Sequence, residues 1–172
     1  MSWKELSMAI VAIKELRKHL PPKSRLLGMD HGEKTLGLAL SNPELTIATP
    51  LKTLRRTTFT ENLKELTAIC REYSVGGLVI GLPLNMDDSE GPRAQSVRHF
   101  GMNLLKAKDT LGFEPVIAFF DERLSSFAVE DFLTEERRMP KKKQKEVIDA
   151  LAASHILQGA LDAINKRYLS SL

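Results

Sequence analysis

Four acidic residues stand where the predicted elements bring separate segments to one edge of a sheet. Asp30 ends the first predicted strand, Asp121 and Glu122 follow the fifth, and Asp149 lies in the first turns of the last predicted helix. In α/β sheets, functional groups gather at the carboxyl ends of the strands. Carboxylates placed together repel one another unless a cation joins them, and ligation by oxygen alone suits Mg²⁺ or Mn²⁺. Two such ions, about 3.5–4 Å apart, can activate a water molecule and stabilise the leaving oxygen of a phosphodiester.

Each of these acids also has a purely structural interpretation. Asp30 precedes His31-Gly32, and Asp and Gly are typical of hairpin turns. Asp121 and Glu122 are suited to the N-terminus of a following helix, which favours negative charge. Asp149 follows a lysine-rich run and is interpretable as a surface acid. The residues alone leave both interpretations open, and only their joint placement favours catalysis. We interpret His31 as a turn residue.

Basic and amide side chains near the same edge are candidates for phosphate contact. Arg93 is close to a predicted helix N-terminus, and Asn85 follows the fourth predicted strand. The densest positive run comprises Lys141, Lys142, Lys143 and Lys145. Such a run is more often a solvated loop. The net charge of +3 and the pI of about 9.0 are compatible with a polyanionic partner but do not establish one.

The elements that must position these side chains follow from hydrophobic periodicity and turn residues. The predicted strands are 25–29, 35–41, 47–53, 78–80 and 115–120. Helices are predicted over 2–20, from Thr58 towards Gly76, from about Ser89, from Ser125 and over 147–169. The first three strands form an antiparallel hairpin sheet, and crossover units extend it in parallel. The expected fold class is α/β, with a mixed five-stranded sheet and helices on both faces.

Composition limits the remaining classes. The 172 residues suit one compact domain, which we place at 23–172 after an N-terminal helical extension at 1–22. The sequence has no run of about 18 or more consecutive apolar residues, so no membrane partner is expected. The single cysteine, Cys70, excludes an internal disulfide, and its helical setting indicates a buried thiol. No signal-peptide pattern is present, so we expect a cytoplasmic protein.

Five segments, in this order and spacing, resemble the YqgF/RuvX family: 29–32, 81–85, 89–95, 121–125 and 145–153. Members of that family have been described as Holliday junction resolvases and as nucleases that mature the 5′ end of pre-16S ribosomal RNA. The resemblance implies a ribonuclease H-like fold and divalent-metal phosphodiester hydrolysis. It assigns metal-binding and catalytic roles to Asp30, Asp149 and one of Asp121 and Glu122. We favour Glu122 because its longer arm can reach back, with Arg123 beside it for a phosphate.

Several functions remain as hypotheses at this point. The first is a nuclease acting on structured RNA, most simply a ribosomal RNA precursor, with Lys141, Lys142, Lys143, Arg93 and Arg123 contacting the backbone. The second is a branched-DNA nuclease with the same site, which would need a dimer to cut a four-way junction symmetrically. The third is a non-catalytic nucleic-acid-binding module. The Asp-x-Gly turn also resembles that of actin-like ATPases, but those need two domains. The sequence leaves monomer and homodimer undecided.

Overall fold

The fold is known from a computed structural model, which describes residues 2–125 and 139–170. The strands are β1 Arg25–His31, β2 Thr35–Ser41, β3 Ala48–Arg55, β4 Val75–Leu82 and β5 Val116–Asp121. They form one sheet in the order β3-β2-β1-β4-β5. Strand β2 is antiparallel to both β1 and β3, whereas β4 runs parallel to both β1 and β5. The predicted mixed five-stranded sheet is therefore confirmed.

Helices cover both faces of this sheet. The helices are α1 Trp3–Ala9, α2 Leu16–His19, α3 Phe59–Glu72, α4 Pro92–Lys106, α5 Lys108–Leu111 and α6 Lys141–Ser170. One core cluster joins α3 and α4 to side chains such as Leu27 and Met29 of β1, and the other joins the C-terminal helix α6 to Leu26. Every residue of β4 is buried, as expected for a central strand with both faces covered.

The N-terminal region differs from the prediction of one continuous helix over 2–20. Helix α1 ends at Ala9, and Ile10 forms an isolated parallel bridge with Ile117 of β5. The amide of Val11 donates to the carbonyl of Ile117 at 2.9 Å. The chain becomes helical again only in a 3-10 turn and α2, where Leu16 is fully buried. The helix breaks at this point because β5 is an edge strand, and its free backbone groups form hydrogen bonds with residues 10 and 11.

Helix α6 begins earlier than its predicted bounds of 147–169. The lysine run, predicted as a loop, forms its first turns, and the amide of Gln144 donates to the carbonyl of Pro140 at 3.0 Å. Lysine is a good helix former, and a proline is tolerated at a helix start. The helix predicted from Ser125 lies outside the described residues.

Length and composition alone would allow residues Lys141–Lys166 of α6 to cross a membrane. In this fold the apolar face of that helix is covered by the sheet. It packs across the sheet, and seven of its apolar residues are buried: Ala150, Ala153, Ile156, Leu157, Ala160, Leu161 and Ile164. These contacts are those of the core helix of a globular domain, which passes the same test of length and composition.

Gly37 sets how closely α6 approaches the sheet beside Asp30. In the β1–β2 register, Gly37 is the partner of Asp30. A Cβ atom at Gly37 would overlap the backbone carbonyl of Asp149, which lies directly over it. Because the obstacle is backbone rather than a flexible side chain, relief requires the helix itself to move. The absence of a side chain at Gly37 thus places Asp149 next to the end of β1.

We therefore expect Gly37→Ala to lower the free energy of unfolding by about 1–3 kcal/mol, as overpacking in a close-packed interior does. For a domain of this size, that corresponds to a fall in Tm of about 2–4 °C per kcal/mol. Thermal unfolding followed by circular dichroism measures the change. Lys52→Ala, at an exposed position of β3, is the control and should leave Tm nearly unchanged. A Gly37→Ala protein with the parent Tm would contradict the close approach.

Candidate active site

Asp30 lies near the end of β1 on the face of the sheet that α6 covers. Side chains alternate along a strand, and the position two residues earlier, Gly28, faces Leu157 and Ala153 of α6. Asp30 is half-buried. Its pKa is raised from 3.8 to about 6, mainly by burial and also by the negative charge of Asp149, while the positive charge of Arg93 acts in the opposite direction. Asp30 therefore lies within electrostatic range of both a second carboxylate and an arginine.

Asp149 reaches this edge from α6. Its Oδ2 atom accepts a hydrogen bond of 2.7 Å from the hydroxyl of Thr35, the first residue of β2. The backbone of the same residue lies over Gly37, as described above. The β1–β2 hairpin therefore holds Asp149 at two points: Thr35 binds its carboxylate, and Gly37 contacts its backbone. Asp149 and Asp30, 119 positions apart in the printed sequence, line one cleft.

Glu122 follows β5 in a 3-10 turn and folds back over the end of β4. A Cβ atom at Gly81 would lie 2.8 Å from Oε1 of Glu122, so the glycine makes room for this carboxylate. Burial raises the pKa of Glu122 from 4.5 to about 7, and the charges of Asp30 and Asp121 act in the same direction. Arg93 again opposes the increase. The carboxylates of Glu122 and Asp30 are therefore close enough to interact electrostatically.

Asp121 has a different partner. Its carboxylate accepts bonds from the Arg123 guanidinium, from Nε at 3.0 Å and from a terminal nitrogen at 2.7 Å. These bonds hold the pKa of Asp121 below its ordinary value. The Arg123 side chain also pairs with Asp88 at 2.6 Å and donates to the carbonyl of Asn85 at 2.9 Å. The structure therefore brings Glu122, and not Asp121, towards Asp30, and it uses Arg123 to tie the loop after β4 to the end of β5.

An open cleft of about 420 Å³ lies in front of Asp30 and Asp149. Among the predicted phosphate-binding residues, Arg93 and Lys145 line it. Lys141, Lys142 and Lys143 are exposed in the first turn of α6, and Asn85 is exposed in the loop after β4, where its amide donates to the Ser89 hydroxyl at 2.9 Å.

Three residues of the cleft, Glu33, Lys34 and Thr35, were missed by sequence reasoning. They immediately follow Gly32. The hairpin itself was the available signal, because residues that begin the return strand lie beside the end of the first one.

The prediction that His31 is a turn residue is wrong. Strand β1 continues through His31, which pairs with Leu36 and is only 5% exposed. Alternation along β1 directs it to the face opposite Asp30, where its ring centroid lies 4.6 Å from that of Phe100 in α4. Burial, reinforced by the charge of Arg56, lowers its pKa to about 4. His31 is therefore a neutral core residue beneath the site at neutral pH.

The donor chemistry of the site fits a divalent cation. Asp30, Glu122 and Asp149 offer only oxygen atoms, the ligands that Mg²⁺ and Mn²⁺ prefer. Two of the three have pKa values raised by burial and by neighbouring negative charge, which a bound cation would relieve. Within residues 2–125 and 139–170, however, no three His, Cys, Asp or Glu side chains already stand close enough together to hold a metal. The acids share a charge environment rather than a closed coordination shell.

Comparison with known proteins places this arrangement in a family. A sequence profile described as RuvX, Holliday junction resolvase, matches residues 24–163. The chain belongs to the RuvX family. The matched range contains Asp30, Glu122, Asp149 and the cleft residues around them. The family resemblance inferred from the five sequence segments is thereby confirmed.

Two relatives extend over most of the chain. A protein of Rhodospirillum centenum is 51% identical over 159 residues, which cover 92% of this chain and 84% of the relative. A protein of Paramagnetospirillum magneticum is 50% identical over 155 residues, covering 90% of this chain and 96% of the relative. Both are named as candidate pre-16S rRNA nucleases.

A solved structure is similar in fold to this RuvX family member. T. thermophilus RuvC in complex with a Holliday junction substrate superposes with a TM-score of 0.51 and 14% sequence identity. The superposition covers 86% of this chain and 97% of the RuvC chain. At that identity the likeness shows the fold, and it confirms the ribonuclease H-like fold that the sequence resemblance implied.

The raised pKa values lead to a prediction about stability without metal. Because the folded state holds protons on Asp30 and Glu122 up to about pH 6 and 7, it binds more protons than the unfolded chain above about pH 4. Stability therefore falls as pH rises through this window. In chelator above pH 7, Asp30→Asn and Glu122→Gln should each raise Tm by at least about 2 °C, because each removes a charge from the cluster.

Differential scanning calorimetry at pH 5 and pH 8 measures the effect, which should be largest at pH 8. Glu72→Gln, at an exposed position near the end of α3, is the matched control and should change Tm little at either pH. Equal Tm values for parent and both site variants at pH 8 would show that the ionised carboxylates of Asp30 and Glu122 do not destabilise the fold.

Proposed function

We propose that this protein is a divalent-metal-dependent nuclease that hydrolyses phosphodiester bonds in the 5′ region of precursor 16S ribosomal RNA. The observation that carries the proposal is the electrostatic coupling of Asp30 to both Glu122 and Asp149 at one edge of the sheet. Membership of the RuvX family and the names of its relatives support this reaction class and substrate. Such a precursor is made in the bacterial cytoplasm, which is the location we propose.

Each acidic side chain has a defined part in this proposal. Asp30, Glu122 and Asp149 would hold Mg²⁺ or Mn²⁺. The ion would supply Lewis-acid polarisation of the phosphate and a positive charge that stabilises the leaving oxygen. Asp121 is assigned no ligand role, because its carboxylate is engaged by Arg123. Arg93, whose charge opposes the raised pKa values of Asp30 and Glu122, is near enough to stabilise a scissile phosphate.

The charges around the site differ between its two sides. On the β1–β2 side, Lys34, Arg93 and Lys145 line the cleft together with Asp30, Glu33 and Asp149. On the β4–β5 side, the guanidinium of Arg123 is neutralised by Asp88 and Asp121. The loop after β4 also carries Asp87 and Glu90. The RNA backbone is therefore proposed to lie along the β1–β2 side, where phosphates meet positive charge without displacing an existing ion pair.

A Holliday junction resolvase is the second candidate function. The description of the RuvX family favours it. The same acids and the same metal would serve, because the chemistry of phosphodiester hydrolysis is shared. Symmetric cutting of a four-way junction needs two active sites related by a two-fold axis, so this function predicts a dimer in solution. A non-catalytic binding module is disfavoured, since the chain retains Asp30, Glu122 and Asp149.

Cleavage of a labelled precursor 16S rRNA, with and without Mg²⁺ or Mn²⁺, tests the proposal. Asp30→Asn, Glu122→Gln and Asp149→Asn should each lower the single-turnover rate by at least about 100-fold, because each removes a ligand charge. Asp121→Asn is the matched control and should lower it by less than about fivefold, the range of an exposed ion pair. A four-way DNA junction is assayed in parallel.

The outcomes separate the candidates. Metal-dependent cleavage of the precursor, lost in the three variants, supports the nuclease proposed here. Cleavage of the junction alone, by a dimer, supports the second function. Rates that are unaffected by the three substitutions would overturn the assignment of the site.

The difference in charge between the two sides of the site gives a separate prediction about RNA binding. Lys34→Ala and Lys145→Ala should each weaken binding of the precursor and lower the slope of log K against log salt by about 1, because each removes one phosphate contact. Fluorescence anisotropy at several salt concentrations measures both quantities. Lys64→Ala, exposed on α3, is the control. Unchanged slopes in Lys34→Ala and Lys145→Ala would place the RNA elsewhere.

A further inference from the structure

We propose that Thr35 is a positioning residue for Asp149, and that its hydroxyl sets the carboxylate orientation in which Asp149 can accept a divalent cation. The inference rests on the proposed function and deepens it. The hydroxyl of Thr35 donates to Oδ2 of Asp149 at 2.7 Å. The two residues are 114 positions apart and line the same cleft as Asp30. Neither composition nor the five family-like segments single out Thr35, which lies outside them.

The donor is held in place independently of α6. Thr35 opens β2, its carbonyl accepts a bond of 2.9 Å from the amide of Gly32, and its backbone pairs with Arg55 of β3. As a β-branched residue it has few accessible χ1 rotamers, so the hydroxyl position follows from the backbone. The β1–β2 hairpin that carries Asp30 therefore also fixes the atom that orients Asp149. Two acids from distant segments are aligned by one hairpin.

The hydroxyl has one proton to give, and Asp149 receives it on Oδ2. The bond prevents free rotation of the carboxylate about its final torsion and leaves Oδ1 for another partner. Hydrogen-bonded carboxylates of this kind are typical around metal ligands, where the outer partner fixes the ligand's orientation. Loss of such a partner commonly lowers metal affinity or activity by about 10–100-fold.

The bond is not needed to attach α6 to the sheet, because other contacts do so. The amide group of Gln158 joins the helix to the chain before β3, and Asn165 donates to the loop carbonyl of Leu45 at 3.0 Å. On β3, the hydroxyl of Thr53 donates to the backbone carbonyl of Glu146, one turn before Asp149. Thr53 thus makes a bond to the same helix that touches no acidic side chain, and it is a natural control.

The experiment measures Mn²⁺ affinity of the full chain by electron paramagnetic resonance, together with Tm and the single-turnover cleavage rate. Thr35→Val removes the hydroxyl and should lower Mn²⁺ affinity by about 10–100-fold. Thr35→Ser keeps the donor and should restore affinity close to the parent value. Thr53→Val removes only a backbone tie and should leave affinity unchanged, whatever its effect on Tm.

Three results would overturn the role of Thr35: parent-like affinity in Thr35→Val, a loss in Thr35→Ser equal to that in Thr35→Val, or an equal loss in Thr53→Val. The Asp149→Asn protein separates this inference from the proposed function. If Asp149→Asn binds Mn²⁺ as the parent does, the metal role of Asp149 fails and the role of Thr35 fails with it. If Asp149→Asn loses binding while Thr35→Val retains it, only the role of Thr35 fails.

Discussion

The burial of carboxylates beside one another is the constraint around which this domain is built. Asp30 and Glu122 each have a pKa raised by burial and by a neighbouring negative charge. A chain free to relax would separate these groups and hydrate them. The fold prevents it by fixing their backbones with apolar packing, chiefly the buried face of α6 against the sheet. Packing of the core therefore keeps the carboxylates together despite the electrostatic cost, and a bound cation would neutralise their charge.

The order of the strands explains how the acids meet. Strand β1 lies between β2 and β4, and β4 and β5 run parallel to it, so three carboxyl ends share one edge. Two glycines leave the space in which helix α6 and the side chain of Glu122 pack against that edge. Gly37 admits the backbone of Asp149, and Gly81 admits the side chain of Glu122. The site thus depends on the absence of side chains at Gly37 and Gly81 as much as on the acidic residues.

Much of the fold and part of the site could be predicted from the sequence. Periodicity and turns predicted the mixed sheet, because strand and helix patterns are local. The choice between Asp121 and Glu122 was not local, since it depends on Glu122 folding back beside Gly81 at the end of β4. The position of Thr35 against Asp149 likewise needed the helix to be placed over the hairpin.

Other errors came from tertiary override of a local signal. Glycines 76 and 77, predicted to end α3, lie within β4, and Ser74 makes the turn at φ 54° instead. The N-terminal helix was interrupted by pairing with β5. In both cases backbone pairing with a distant strand outweighed the local sequence signal.

The pairing of Ile10 with Ile117 also bears on assembly. Many proteins oligomerise or aggregate by continuing a sheet across two chains, which requires an accessible row of edge donors and acceptors. At β5, a second copy would first have to displace residues 10 and 11, whose own hydrogen bond to Ile117 would be lost. At β3, Pro50 interrupts the row because it has no amide hydrogen. The N-terminal segment thus covers the outer edge of β5 at Ile117, so that another strand could pair there only after this segment had moved away.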